Sequence, residues 1–182
     1  MGTDKGLIEW NGRILAQHAL EKFSALNINV LLSVNEHNYS NYAAYFSASL
    51  MVVDNTEINV GGPLKGLLSV HQKLPEEALL VLAVDMPLMH SSVLMQLVEV
   101  YEKNDNDAVV FQNEKGVEPL CALYAAAGLC KLSNMLAHNS LTRFSMHHVL
   151  SQLNTRVLDM EERLKPFFTN FNHPEDLARL GL

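Results

Sequence analysis

The chain has 182 residues, 48% of them hydrophobic and 18% charged, which suits one packed domain and excludes a disordered one. A formal net charge of −7 without any cluster of Lys and Arg argues against a nucleic-acid backbone track, so an anionic ligand has to be met locally by one or two cations, a helix N-terminus or a metal. Two cysteines, Cys121 and Cys130, make no disulfide framework, no apolar run nears the roughly 20 residues that cross a bilayer, and the polar N-terminus is no signal peptide, which makes the cytoplasm the expected compartment.

Along the chain, Leu15–Leu26 carries a helical pattern, and the apolar, β-rich runs Asn29–Val34 and Leu50–Val53 read as strands. Leu64–Leu74 is the next helical stretch, followed by a strand at Leu79–Val84 that Asp85 and Pro87 bring to an end. Ser91–Tyr101 is helical, with Ser91-Ser92 offering a hydroxyl cap. Ala108–Phe111 and Leu120–Tyr124 are strands linked through Asn113-Glu114-Lys115-Gly116, a hairpin-like turn that predicts an antiparallel pair. A helix at Gly128–Leu136 comes next, then strands at Arg156–Leu158 and Phe167–Phe171 and a last helix at Pro174–Leu180, with Pro174 in its first turn. Strands that are continuously apolar and separated by helices point to a mostly parallel sheet with helices on both faces, here with an antiparallel hairpin added. No linker or repeat divides residues 1–182, so one α/β domain is expected.

Open parallel sheets bind ligands beyond the carboxyl ends of their strands. Asn35, Asp54 and Asp85 each follow a predicted strand there, and each can ligate a metal or bond to a base or sugar. Asp85 is the strongest candidate. Met86-Pro87 leaves its carboxylate at the strand tip, where it suits Mg²⁺, or it merely caps the turn before the next helix. Gly61-Gly62-Pro63-Leu64-Lys65-Gly66 precedes an apolar helix and either cradles an anion or forms a plain turn with Pro63 at the first helical position. Lys5 ends a Gly-containing segment and is a natural phosphate partner, although alone it reads as a solvated tail. Asn170 and Asn172 place two amides on one side of an extended segment, suited to a heteroaromatic edge or, for Asn172, to capping. The histidines lack zinc-site spacing; His147 and His148 are adjacent and diverge on a helix.

Taken together, these residues resemble the molybdenum cofactor guanylyltransferases, which belong to the nucleotide-diphospho-sugar transferase-like enzymes with a Rossmann-like sheet. Met1–Gly6 matches the tail of the family's opening Arg-Met-Gly-x-Asp-Lys-Gly, and Gly62-Pro63-Leu64-Lys65-Gly66 its Gly-Pro-Leu-Ala-Gly, with Lys65 in place of Ala. Ala83-Val84-Asp85-Met86-Pro87 matches Cys-Asp-x-Pro, Glu118-Pro119-Leu120 the hairpin strand, and Thr169–Leu177 the closing Asn-x-Asn-Thr-Pro-Glu-Asp-Leu, with His173 replacing Thr.

The resemblance implies transfer of GMP from GTP to molybdopterin with release of pyrophosphate. It assigns Lys5 to the GTP phosphates, Asn35, Asp54, Gly62 and Pro63 to the nucleotide, Asp85 to Mg²⁺, and Asn170, Asn172 and Arg143 to molybdopterin. Other cofactor-assembly proteins and apo-molybdoenzymes are the implied further partners. Alternatives on the same fold are cytidylyl or sugar-phosphate transfer, or a catalytically silent binding module. The family also carries a first strand, a Leu-Ala-Gly-Gly loop and an Arg ahead of the motif that here starts at Met1. The expectation is therefore a start site upstream, the alternative being a truncated product, with an exposed sheet region, poor solubility and weak GTP binding in the chain as it stands.

Overall fold

In the computed structural model, residues 4–171 are described. After a 3-10 turn at Lys5–Leu7, strands β1 (Glu9–Trp10) and β2 (Arg13–Ile14) form an antiparallel hairpin around Asn11-Gly12. Helix α1 (Leu15–Glu21) and a 3-10 turn at Ser24–Leu26 lead to β3 (Leu32–Val34). Helix α2 (Tyr39–Tyr42) and β4 (Met51–Val53) follow, and then α3 (Pro63–Lys73) and β5 (Leu79–Leu82). Helix α4 (Ser91–Glu102), the long pair β6 (Ala108–Asn113) and β7 (Gly116–Tyr124), α5 (Ala126–Ala137), α6 (Met146–Ser151) and β8 (Thr155–Asp159) complete the order, with a 3-10 stretch at Glu162–Phe168.

Among the described residues, β3 pairs with β4 in parallel, and a four-stranded sheet runs in the order β5-β7-β6-β8. There β7 is antiparallel to both β5 and β6, and β6 is parallel to β8, so the expected α/β architecture has a mixed sheet. The hairpin predicted from Asn113–Gly116 is the β6–β7 pair, with an irregularity between Val110 and Gln112.

The apolar strands follow from burial on both sides. Leu79 and Val81 of β5, Ala108 and Val110 of β6, and Ala122 and Tyr124 of β7 pack into one core with Leu64, Leu68, Leu129 and Val149 of α3, α5 and α6. The alternate residues Leu80, Leu82, Val109, Phe111, Cys121 and Leu123 pack into a second core with Val93, Leu94 and Leu97 of α4. A strand with neither face in water has no polar positions to alternate.

Three readings from sequence are corrected. Phe167–Phe171 is not a strand: Glu162–Phe168 is 3-10 helical, and Leu164 and Phe168 bury against the second core while Arg163 and Lys165 face out, a period nearer three than two. The helix predicted over Leu15–Leu26 stops at Glu21, and Asn27 takes a left-handed conformation before the chain enters β3. The cap of α4 is His90, whose ring nitrogen accepts from the Ser92 amide, rather than a serine hydroxyl. The hairpin β1–β2 and helix α6 were not among the expected elements. The last predicted helix, Pro174–Leu180, lies outside the described residues.

Candidate active site

The strand ends do collect functional groups. Lys5, Asn35, Asp54, Gly62, Pro63 and Asp85 all line one cleft of about 1210 Å³. Its two walls are edge strands. Residues 27–33 belong to the approach to β3 and to β3 itself, and residues 78–85 to β5 and the turn that follows. Because Asn35 and Asp54 follow β3 and β4, and Asp85 follows β5, the carboxyl ends of these three strands open onto the same space. Most of the remaining wall is apolar, with Asn27, Asn29, Ser33, Glu77 and Glu102 as its polar residues. Leu79 to Leu82 are only half-buried, and among the described residues the outer edge of β5 faces the cleft.

Lys5 and Asp85 meet directly, Nζ donating to Oδ2 at 2.8 Å. The Lys5 side chain is 43% exposed and that of Asp85 only 15%, so the ammonium reaches in from solvent toward a carboxylate held in the wall. The turn that carries Asp85 is pinned from outside, because the Phe171 amide donates to the Asp85 carbonyl at 2.8 Å. That bond sets the exposed Asn170, one residue earlier, at the same end of the sheet.

Asp54 is half-buried and accepts from the Ser33 hydroxyl at 3.3 Å. Burial pushes its pKa up, against the Ser33 bond and the charge of Lys65, which both favour the carboxylate. Asn35 is exposed and caps the 3-10 turn at Glu36–Asn38, its side chain accepting from the Asn38 amide at 2.9 Å.

Gly62 is the cap of α3 at φ 65° and ψ −154°, a region open in practice only to glycine, and Pro63 takes the first helical position as predicted. The N-terminus of this helix thus opens on the cleft with its partial positive charge.

The remaining candidates divide. Arg143 is exposed in the segment between α5 and α6 and is not part of the cleft lining, although Met146, three residues on, is. Asn172 lies outside the described residues. Among the described residues no group of three or more His, Cys, Asp and Glu could hold a metal by itself, and no helix is long and apolar enough to cross a membrane.

Sequence reasoning missed Ser33, a lone polar residue inside an apolar strand, which was a usable signal. It also missed the ring of contacts around Asp4. That carboxylate caps the Lys5 turn, accepting from the Gly6 amide at 2.9 Å and from the Tyr42 hydroxyl at 2.7 Å, and it also accepts from the Asn38 side-chain amide.

A strand-ended cleft with a Lys–Asp pair at its rim and a glycine-opened helix N-terminus is suited to an anionic ligand on an α/β sheet. The comparisons make that reading specific: the chain belongs to the MobA-like NTP transferase domain family, which it matches over residues 1–153. It is similar to the molybdenum cofactor guanylyltransferase of Pseudomonas fluorescens, at 30% identity over 97% of this chain and 84% of that protein. The enzyme of the same name from Campylobacter jejuni is 26% identical over 98% of this chain and 87% of its own length. In fold, the chain resembles the crystal structure of molybdopterin-guanine dinucleotide biosynthesis protein A from Archaeoglobus fulgidus, with a TM-score of 0.78 at 23% identity, covering 98% of this chain and 89% of that one.

Proposed function

We propose that this domain transfers GMP from GTP to molybdopterin and releases pyrophosphate. The observation that carries the reading is the Lys5–Asp85 pair at the rim of the cleft, in a chain that aligns along nearly its whole length with molybdenum cofactor guanylyltransferases.

An oxygen of the molybdopterin phosphate attacks the α-phosphorus of GTP. A new P–O–P linkage forms, the bond to the β-phosphate breaks, and pyrophosphate leaves with the bonding electrons. Both reactants are anions, so the domain's work is to bring them together in line and to offset their charge. Lys5 does this with a mobile ammonium that exchanges the Asp85 carboxylate for a phosphate oxygen. The N-terminus of α3 adds its dipole, and Asn35 and Asp54 orient the nucleoside. Asn170, Asn172 and Arg143 are assigned to molybdopterin. No covalent nucleophile is needed, and burial pushes the Cys121 thiol far above its ordinary pKa, which suits a core residue.

The donor set fits Mg²⁺ in its usual sparse form. Asp85 would hold the ion, with Asp54 a second carboxylate on the same cleft, and Mg²⁺ takes one or two carboxylates with phosphate oxygens and water. Held there, the ion would neutralise phosphate charge. A cytoplasmic setting, where GTP is at hand, belongs to the same reading.

The test is incubation of the protein with molybdopterin, Mg²⁺ and either GTP or CTP under anaerobic conditions, with mass spectrometry of the products. The guanine dinucleotide is expected from GTP; the cytosine dinucleotide as the main product would refute the guanylyl assignment.

A further inference from the structure

The geometry points to Tyr42 as a positioning residue, whose hydroxyl holds Asp4 so that the Lys5 turn presents its ammonium to the cleft. This rests on the phosphate role proposed above for Lys5, and it brings in Tyr42 and Asn38, which neither the strand-end pattern nor the motif resemblance singled out.

Four observations carry it. Tyr42 is 5% exposed, and its ring packs among Ile14, Ala16, Leu32, Val34 and Met51, a core built partly on β3 and β4. From this fixed base its hydroxyl donates to Asp4 Oδ1 at 2.7 Å. The same oxygen accepts the Gly6 amide at 2.9 Å, so one carboxylate oxygen links the core to the turn that carries Lys5. Asn38 holds the other oxygen, and its own amide is bound by Asn35, which lines the cleft.

Gly6 completes the arrangement. A Cβ built at Gly6 would collide with the Tyr42 hydroxyl, so the tyrosine reaches Asp4 only because position 6 has no side chain. The order Asp4-Lys5-Gly6 thus has a physical sense: the first residue is clamped, the second reaches the cleft, and the third makes room for the clamp. A flexible lysine without that clamp would meet a phosphate from many geometries, and misplacement by about 1 Å is enough to cost on the order of a hundredfold in rate.

Tyr42→Phe in the full chain keeps the ring in its core and removes the hydroxyl. Two measurements are made. Amide hydrogen exchange at Gly6 is expected to speed up by roughly tenfold, since the clamp on its acceptor is lost. In the GTP-dependent transfer, kcat is expected to fall by about tenfold while KM for molybdopterin moves less than about twofold, which a general loss of packing would not produce. Asn38→Ala, which leaves the core untouched, is expected to shift both readouts in the same direction, and Tyr45→Phe, an exposed tyrosine nearby, to shift neither.

Wild-type rates in Tyr42→Phe for either readout overturn the proposal. A wild-type protein that binds inorganic tripolyphosphate but makes no guanine dinucleotide would sink the guanylyl reading alone. The exchange rate at Gly6 and the tripolyphosphate affinity, expected to weaken about fivefold in Tyr42→Phe, then decide on the clamp, and no change in them overturns it.

Discussion

At the residue scale, the cleft rests on a few charges whose partners are within reach of one another. Replacing Lys5 with Ala removes the ammonium that meets Asp85 at 2.8 Å, and Asp85→Asn removes the carboxylate. Each is expected to lower kcat for GMP transfer by about a hundredfold or more with little loss of stability, measured as pyrophosphate release alongside urea unfolding. A second prediction concerns His71, on the buried side of α3, where Nδ1 has no hydrogen-bond partner among the described residues. Burial holds its pKa below the ordinary 6.5, with the nearby Glu76 pulling the other way. The folded state then binds fewer protons than the unfolded chain in the window just below 6.5, so this contribution to stability is intact above 6.5 and is lost as pH falls through that window. The urea midpoint of the wild type should drop between about pH 7.5 and about pH 5.5, and His71→Leu should flatten the drop. Asn35, Asp54 and Asp85 were legible in the sequence because a polar residue directly after an apolar strand stands out, whereas Lys5 was legible only through the resemblance of Met1–Gly6 to a family motif. Tyr42 and Asn38 were not, because their bonds to Asp4 span 38 and 34 residues and only the fold brings them together.

At the scale of elements, close approach rather than propensity fixes several positions. Helix α5 crosses the start of β6 at Gly128, where an added Cβ would lie 2.6 Å from the Asp107 carbonyl oxygen. That carbonyl already accepts the Ala125 amide at 2.9 Å, and the Asp107 side chain accepts the Asn154 amide at 2.8 Å, so the backbone there has little room to give. Gly128→Ala is therefore expected to destabilise the fold by about 1–3 kcal/mol in urea unfolding, although alanine is the better helix former. The strands buried on both faces were read well from sequence, and so were α3, α4 and α5, because a continuous apolar run or a clear helical period is a local signal. The hairpin of β1 and β2 has strands of only two residues each, too short for any period to show. Helix α6, at six residues, presented the same difficulty. The aromatic run Phe167–Phe171 misled because a short apolar stretch carries no period of its own; Phe168 is buried in the core with α4 and β6, and Phe171 in a separate one with Ile8 and Leu15.

For the whole molecule, the cleft between two sheets has to take up the two anions proposed as its substrates in a protein with a net charge of −7. Attraction has to be local, since the overall field repels both substrates. Raising ionic strength should therefore raise the rate of substrate association while weakening the final contacts with Lys5, and stopped-flow measurement at two salt concentrations would separate the two effects. The sequence showed the α/β class and the order of the longer elements, but which strands pair is a long-range outcome, and the sheet's mixed character came from β7 lying antiparallel between β5 and β6. The most direct measurement is pyrophosphate release by the wild-type chain with molybdopterin as acceptor, comparing GTP with CTP at equal concentration. A GTP preference of at least about tenfold that disappears with Lys5→Ala is the predicted result; equal turnover of both nucleotides, or a GTP rate that Lys5→Ala leaves unchanged, would contradict it.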